Sequence, residues 1–289
     1  MQGEACMKAI IKYPGSKWSV AGWIIRHFPG HHSYLEPYFG SGAVLFNKPR
    51  SNIETVNDLD GDVVNLFEWI RKNPERLAHE IYYTPYARQV YEGTFTRMPG
   101  DSLQKAVDFC VRLNMGYGFR TNGHREGWKN DVQGRERAYA ARDWGSLPVR
   151  LMCAAERLRG VQIEHRPAVE VIRRFNSRNT LVYCDPPYML GTRSGGEQYR
   201  HETRDQDHEE LLDVLLAHKG KVLLSGYDSA FYNDRLRGWH REETVYRSQA
   251  GSLKREVLWM NFEPEGWQME LELGEIPDTG RGTGWTSRD

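Results

Sequence analysis

The chain contains no apolar run approaching the roughly 18 to 20 residues that a membrane-spanning helix needs, and Met1 to Lys8 carries no apolar leader. A cytoplasmic protein with no membrane partner is the expectation. Cysteine is scarce as well, with only 4 in 289 residues: Cys6, Cys110, Cys153 and Cys184. Their spacing fits neither a zinc-ligand pattern nor a disulfide framework, so reduced thiols and no metal site are expected. Nor is either charge in excess, since 39 Lys and Arg balance 39 Asp and Glu. Whole-chain electrostatics makes no case for a nucleic-acid partner, and any such case must come from a local patch.

What is present is an alternation of strand-like and helical segments. Val20, Ala21, Ile24, Ile25 and Phe28 fall on one face of a helix over residues 17–28, with Gly30 as its stop. Tyr34-Leu35-Glu36-Pro37 reads as a short strand leading into Phe39-Gly40-Ser41-Gly42, after which Ala43 to Phe46 open a second helix. Ile53 to Val56 form the next strand, ending at Asn57-Asp58, and Val63, Val64, Phe67 and Ile70 stripe the helix behind it. From about Lys72 to Gly160 the alternation lapses into helical, irregular sequence rich in aromatics and arginine, which reads as an insertion. It resumes with a strand at Val161-Gln162-Ile163 and another ending at Asp185. The following helix has Asp207 and Glu210 in capping-box spacing, Leu211, Leu212, Leu215 and Leu216 as its core face, and Gly220 as terminator. Strands at Val222 to Leu224, Glu243 to Tyr246 and Val257 to Phe262, with a helix over Ser229 to Leu236, complete the pattern.

Strands separated by helices predict an α/β fold with a mostly parallel, doubly wound sheet covered on both faces. The expected division is one discontinuous domain from residues 1–71 and 160–264, an inserted, mainly helical domain over 72–159, and a loose tail over 265–289.

The tetrapeptide Asp185-Pro186-Pro187-Tyr188 follows the apolar run Leu181-Val182-Tyr183-Cys184. Each proline fixes its own φ, removes an N–H and keeps its predecessor out of the α region, so the strand ends in an extended turn. The Asp185 carboxylate and the Pro186 carbonyl can then face one donor. An aromatic exocyclic amine has two hydrogens and a lone pair delocalised into its ring. Accepting both hydrogens localises the lone pair and aims it at an electrophile. Tyr188 adds a flat surface for a base taken out of its stack, a contact worth roughly 1 to 3 kcal/mol. Taken alone, the four residues are equally a surface turn over a buried tyrosine.

Phe39-Gly40-Ser41-Gly42 lets the backbone pass close to a ligand at the carboxyl edge of a sheet, although the third glycine of a dinucleotide fingerprint is missing. Asp58 is placed either to hydrogen-bond a ribose or to cap the helix after it. With the glycine turn, an adenosine-ribose site is favoured. In Lys12-Tyr13-Pro14-Gly15-Ser16-Lys17 the Pro-Gly bend can fold Lys17 back toward that turn to meet a ligand carboxylate, or it is an ordinary loop before a helix.

Tyr13-Pro-Gly-Ser-Lys17, Glu36-Pro-Tyr-Phe-Gly-Ser-Gly42, Asn57-Asp58 and Asp185-Pro-Pro-Tyr188 occur in the order seen in DNA adenine methylases of the Dam type, the D12 class, and the chain resembles that family over most of residues 8 to 263. Tyr199-Arg-His-Glu202, His208-Glu-Glu-Leu211, Leu223-Leu-Ser-Gly-Tyr227 and Glu256-Val-Leu-Trp259 extend the likeness, with the middle section least alike. The resemblance implies a Rossmann-like methyltransferase using S-adenosyl-L-methionine (AdoMet), held by Tyr13, Lys17, Phe39, Gly40, Ser41, Gly42 and Asp58. It implies that Asp185, Pro186 and Tyr188 hold the target adenine and that the insertion recognises the DNA target. A prokaryotic or phage-encoded monomer acting on double-stranded DNA belongs to the same expectation, either solitary or matched with a cognate restriction endonuclease. One departure stands out: Arg166-Pro167-Ala168 occupies a stretch where such enzymes often carry a cofactor-binding Asp.

Between Arg112 and Arg150 the positive residues Arg112, Arg120, Arg125, Lys129, Arg135, Arg137, Arg142 and Arg150 outnumber Glu126, Asp131, Glu136 and Asp143, with Tyr117, Phe119, Trp128 and Tyr139 interleaved. That composition suits phosphate contact and insertion beside a flipped base, or else a solvated helical face. Asn114 to Gly123 reads as a glycine-loosened loop from which Arg120 or Asn122 reads base edges, with Tyr117 and Arg125 as further DNA contacts. Cytosine N4, RNA adenine and a protein amide nitrogen remain alternative acceptors. A nicotinamide oxidoreductase, disfavoured by the missing glycine, and a non-catalytic DNA-binding module remain alternative classes.

Overall fold

The computed structural model describes residues 8–98, 100–118, 120–130, 132, 139–192, 196–247 and 253–264. The first half of the chain supplies α1 (Ala21–Arg26), β1 (Ser33–Glu36), α2 (Ala43–Asn47), β2 (Ile53–Asn57) and α3 (Gly61–Lys72). Five helices follow without a strand: α4 (Pro74–Tyr83), α5 (Arg88–Gly93), α6 (Ser102–Met115), α7 (Ala140–Gly145) and α8 (Leu147–Arg157). Alternation returns with β3 (Val161–Glu164), α9 (Ala168–Arg174), β4 (Thr180–Cys184), α10 (Asp205–Leu216), β5 (Lys221–Gly226), α11 (Ala230–Arg235), β6 (His240–Arg247) and β7 (Leu253–Met260).

The seven strands make one sheet in the order β3-β2-β1-β4-β5-β7-β6. The first five are parallel, while β7 runs antiparallel to both β5 and β6. This is the predicted mostly parallel α/β sheet. Period-two alternation sorts its side chains: Tyr34, Leu181, Tyr183, Leu223 and Leu258 join one buried cluster, whereas Leu35, Val182, Cys184, Val222, Leu224 and Trp259 join the other. Helices α9, α10 and α11 cover the second face. On the first face, α1 to α4 and α8 share a continuous core with α6, so the long helical stretch packs directly on the sheet's own covering layer. The strand order reverses between β1, whose helix leads on to β2, and β4, whose helix leads on to β5. That switch point opens a crevice at the carboxyl ends of β1 and β4.

Several elements differ from expectation. Helix α1 begins at Ala21 rather than residue 17, because residues 13–20 are taken up by turns closed by Ser16 N–H to Tyr13 O (3.2 Å) and Val20 N–H to Lys17 O (2.9 Å). In α10, Asp207 lies in the first turn and accepts from the Arg204 N–H (2.8 Å), and Leu216 is 44% exposed. Gly220 does not end that helix, which closes at Ala217. It is glycine because a Cβ there would overlap the carbonyl oxygens of Ser177 and Thr180. Cys110 and Cys184 are buried free thiols, and Cys6 lies outside the described residues. The expected loose tail, together with Phe119, Asp131, Arg135, Glu136 and Arg137, lies outside the described residues.

Candidate active site

The crevice is a cavity of about 260 Å³. Its floor is the turn after β1. Gly40 (φ +49°) and Gly42 (φ +68°) both adopt left-handed backbone, which favours glycine. A Cβ on Gly40 would press on the Tyr13 ring at 3.0 Å, and one on Gly42 would meet Phe46 at 2.6 Å. The Gly42 N–H closes the turn on Phe39 O (2.8 Å), and the Ser41 and Ser16 hydroxyls lie 2.8 Å apart. Asp58 braces this turn: one oxygen accepts from Gly40 N–H (2.7 Å) and the other from Asp60 N–H (2.9 Å). Burial pushes the Asp58 carboxyl up to about 6 despite these backbone donors. Asp60 caps α3 with Oδ1, while its Oδ2 is buried without a hydrogen-bond partner among the described residues.

The opposite wall comes from the end of β4, all five of whose residues are buried. Asp185 follows it, and its Oδ2 pairs with Lys17 Nζ at 2.9 Å. Its Oδ1 is buried and meets no hydrogen-bond partner among the described residues. Lys17 is 3% exposed, donates to Gly15 O (2.7 Å) and lies 3.8 Å from Glu256, which is completely buried. Burial works against the Lys17 charge, but Asp185 and Glu256 outweigh it and hold the ammonium above its ordinary range. Burial likewise raises Asp185, with Lys17 pulling it back. The Tyr188 hydroxyl donates to Glu256, its ring meets the edge of Tyr227 (4.4 Å between centroids), and Lys17 Nζ sits 4.8 Å from its ring centre.

Tyr13, Lys17, Phe39, Gly40, Ser41, Asp58 and Asp185 all line the cavity. Gly42, Pro186 and Tyr188 stand behind that lining, where they shape the two turns. Among the described residues no grouping of His, Cys, Asp and Glu suits a metal ion, and no helix is long and apolar enough to cross a membrane.

Residues 13–248 match the D12 class N6 adenine-specific DNA methyltransferases. The chain belongs to that family. It is 23% identical over 275 residues to a DNA adenine methylase of Vibrio cholerae, covering 89% of this chain and 96% of that protein. It is 24% identical over 253 residues to a DNA adenine methylase of Salmonella typhi, covering 81% and 84%. A DNA N-6-adenine-methyltransferase of Escherichia phage P1 matches at 24% over 230 residues, 75% of this chain and 29% of the phage protein. The reaction class is therefore adenine methylation of DNA.

The residues expected to touch DNA are tied down in the methyltransferase as it stands. Arg120 pairs with Glu126 (3.0 Å) and Arg125 with Glu92 (2.6 Å). Asn122 donates to Glu197 O (3.1 Å) and accepts from His124 N–H (3.2 Å), while Tyr117 is 52% exposed. At the departure from the family pattern, Pro167 and Ala168 line the cavity, and the Arg166 guanidinium turns outward to Glu164 (3.7 Å) and Glu170 (3.9 Å). Sequence reasoning missed four groups. Glu256 accepts from Tyr188 and Ser225 and is an acid at the start of an apolar run, a visible anomaly. Glu36, pushed up to about 8 by burial against the hydrogen bond from Tyr34, was legible only as part of a motif. Asp60, two residues after Asp58, had the clearest overlooked signal. Arg200 had none.

Proposed function

We propose that the chain transfers the AdoMet methyl group directly to N6 of an adenine turned out of duplex DNA, with Asp185 orienting the amine. The observation that carries this reading is the divided state of the Asp185 carboxylate: Oδ2 is neutralised by Lys17, and Oδ1 is a buried acceptor without a partner beside the cavity. A buried unsatisfied acceptor costs about 1 to 3 kcal/mol and persists where a ligand satisfies it. Oδ1 takes one N6 hydrogen and the Pro186 carbonyl takes the other, localising the nitrogen lone pair toward the cavity. As N6 gains its fourth bond it becomes cationic, and Asp185 accepts the surplus proton. Lys17, expected to meet the cosubstrate carboxylate, is better explained as the charge that keeps Asp185 ionised for this step. Tyr188, held by Glu256, supplies the surface against which the adenine rests.

The cavity suits AdoMet on this chain's own evidence. The glycine turn is a cradle that a Cβ would fill, and the unpartnered Asp60 Oδ2 beside Asp58 suits ribose hydroxyls. When bound, AdoMet supplies the electrophilic methyl group. Residues 72–159 serve as the target-recognition insertion, with Tyr117, Arg120, Asn122 and Arg125 meeting DNA after exchange of their present partners. Cys184 is not a nucleophile, being wholly buried on the far face of the sheet with its thiol raised by burial. Such an enzyme works in the cytoplasm of a prokaryotic or phage-infected cell.

The test is tritium transfer from labelled AdoMet to unmethylated plasmid DNA, followed by nucleoside chromatography. Label in N6-methyladenosine is expected, and Asp185→Asn should lower kcat by about 100-fold or more while S-adenosylhomocysteine still binds. Label in N4-methylcytosine, or a wild-type rate in Asp185→Asn, would refute the assignment.

A further inference from the structure

One stretch of chain, residues 197–203, belongs at once to the cosubstrate cavity and to the loop of residues 117–126. Tyr199, His201, Glu202 and Thr203 wall the cavity, and the Tyr199 ring lies 6.0 Å from that of Tyr13. The same stretch is hydrogen-bonded to the loop. Thr121 N–H donates to Gln198 O (2.9 Å), Arg200 N–H donates to the Thr121 hydroxyl (3.1 Å), and Asn122 donates to Glu197 O (3.1 Å). Arg200 then reaches the start of α3, placing its guanidinium on Asp60 Oδ1 (3.1 Å) and Asp62 Oδ2 (2.5 Å). Asp60 walls the cavity with its second oxygen unpartnered, and its N–H is held by Asp58.

A single arginine thus joins three segments remote in sequence: the acidic start of α3, the strap over the cavity and the loop expected to meet DNA. The Arg200 side chain is 40% exposed, where an ion pair adds little to stability for its own sake. The arrangement is explained instead by communication. A ribose that engages Asp60 Oδ2 fixes the carboxylate whose other oxygen Arg200 holds. DNA that draws on Arg120 or Asn122 fixes Thr121, which holds Arg200 from its backbone side.

We propose that Arg200 is a positioning residue that couples the cosubstrate cavity to DNA on the 117–126 loop, so that each ligand tightens the site of the other. The inference rests on the reading of that loop as a DNA contact. Such coupling is reciprocal by necessity. It also lets the enzyme hold its methyl donor most firmly when a target is seated.

The test measures S-adenosylhomocysteine binding by titration calorimetry, without DNA and with saturating unmethylated plasmid DNA, in the full chain. In the wild type, DNA should tighten binding by about fivefold or more, within the ordinary range of coupling free energies. Arg200→Ala should bring that ratio within about twofold of one, and Arg200→Lys should keep part of it, because an ammonium satisfies one carboxylate and not the fork. Thr121→Val, which cuts the link from the other side, should reduce the ratio as well, and the double variant should be no worse than either single one. Thermal unfolding of each variant near the wild-type temperature separates this loss from misfolding. A ratio of one in the wild type, or an undiminished ratio in Arg200→Ala, would overturn the proposal. Failure of the underlying reading shows separately, as DNA affinity unchanged in both Arg120→Ala and Asn122→Ala by fluorescence anisotropy on a labelled duplex.

Discussion

Four ionisable side chains converge where one carboxylate and one carbonyl would suffice for an amine cradle. Lys17 faces Asp185 and Glu256, and the Asp185 charge adds to the burial that raises Glu36. One ammonium cannot neutralise three buried carboxylates, so proton occupancy in this cluster depends on pH, and Glu36 is where that is most accessible to measurement. It is 3% exposed, and burial pushes its carboxyl up to about 8 from an ordinary value near 4.5. A raised folded-state pKa contributes stability that is fully present below the ordinary value and is lost as pH rises through the folded one, here between about 4.5 and 8. Glu36→Gln keeps an acceptor for the Tyr34 hydroxyl but never ionises. The variant and the wild type should unfold at similar temperatures at pH 5. At pH 9 the variant should be more stable by on the order of 2 to 4 kcal/mol. Thermal denaturation at the two pH values decides this, and an equal gap at both would mean that Glu36 is ionised throughout.

At the scale of elements, hydrophobic periodicity was a reliable guide to which segments form helices and a poorer guide to where their buried faces end. Helix α10 shows why. His208, Leu211, Leu212 and Leu215 repeat at helical spacing and are buried, but Leu216, one turn beyond Leu212 and the last residue of the helix, is 44% exposed. A leucine pair that looks equivalent in sequence therefore differs in energy. Leu212→Ala should cost about 2 to 5 kcal/mol, the ordinary range for emptying a packed leucine site, whereas Leu216→Ala should change stability by less than about 0.5 kcal/mol. Urea unfolding of the two variants measures both, and similar losses would show that Leu216 is buried in solution. Strand β6 presents the reverse case. Its sequence, His240 to Arg247, is mostly charged and polar, and its alternation of half-buried with exposed side chains marks a sheet edge. The expected Glu243 to Tyr246 captured only its centre, because four more residues pair with β7 through backbone bonds that no side-chain pattern announces.

Across the whole molecule, legibility followed contiguity. The glycine turn, Asp58 and Asp185 were readable because each is a short motif at the end of a strand, and a doubly wound sheet brings such ends together. The contacts of Glu256 and Arg200 were not, since one arrives on an antiparallel strand at the far side of β5 and the other on a strap between β4 and α10. The basic surface shows the same limit. Counting charges between residues 112 and 150 gives an excess of positives, but among the described residues Arg112, Arg120, Arg125 and Arg150 pair with Asp62, Glu126, Glu92 and Asp143. Two of those acids, Glu92 and Asp62, lie outside the stretch in which the excess was counted. A chain with no net charge, four of whose patch arginines are already paired, should bind non-specific DNA weakly, with few counterions released. Glu126→Gln and Glu92→Gln each free one guanidinium on or beside the 117–126 loop, which is proposed to meet DNA. Each should strengthen binding at low salt and steepen the dependence of log affinity on log salt by about one, measured by fluorescence anisotropy on a labelled duplex. Slopes unchanged in both variants would place the phosphate-binding surface elsewhere on the molecule, and would detach Arg120 and Arg125 from the DNA contact assigned to them.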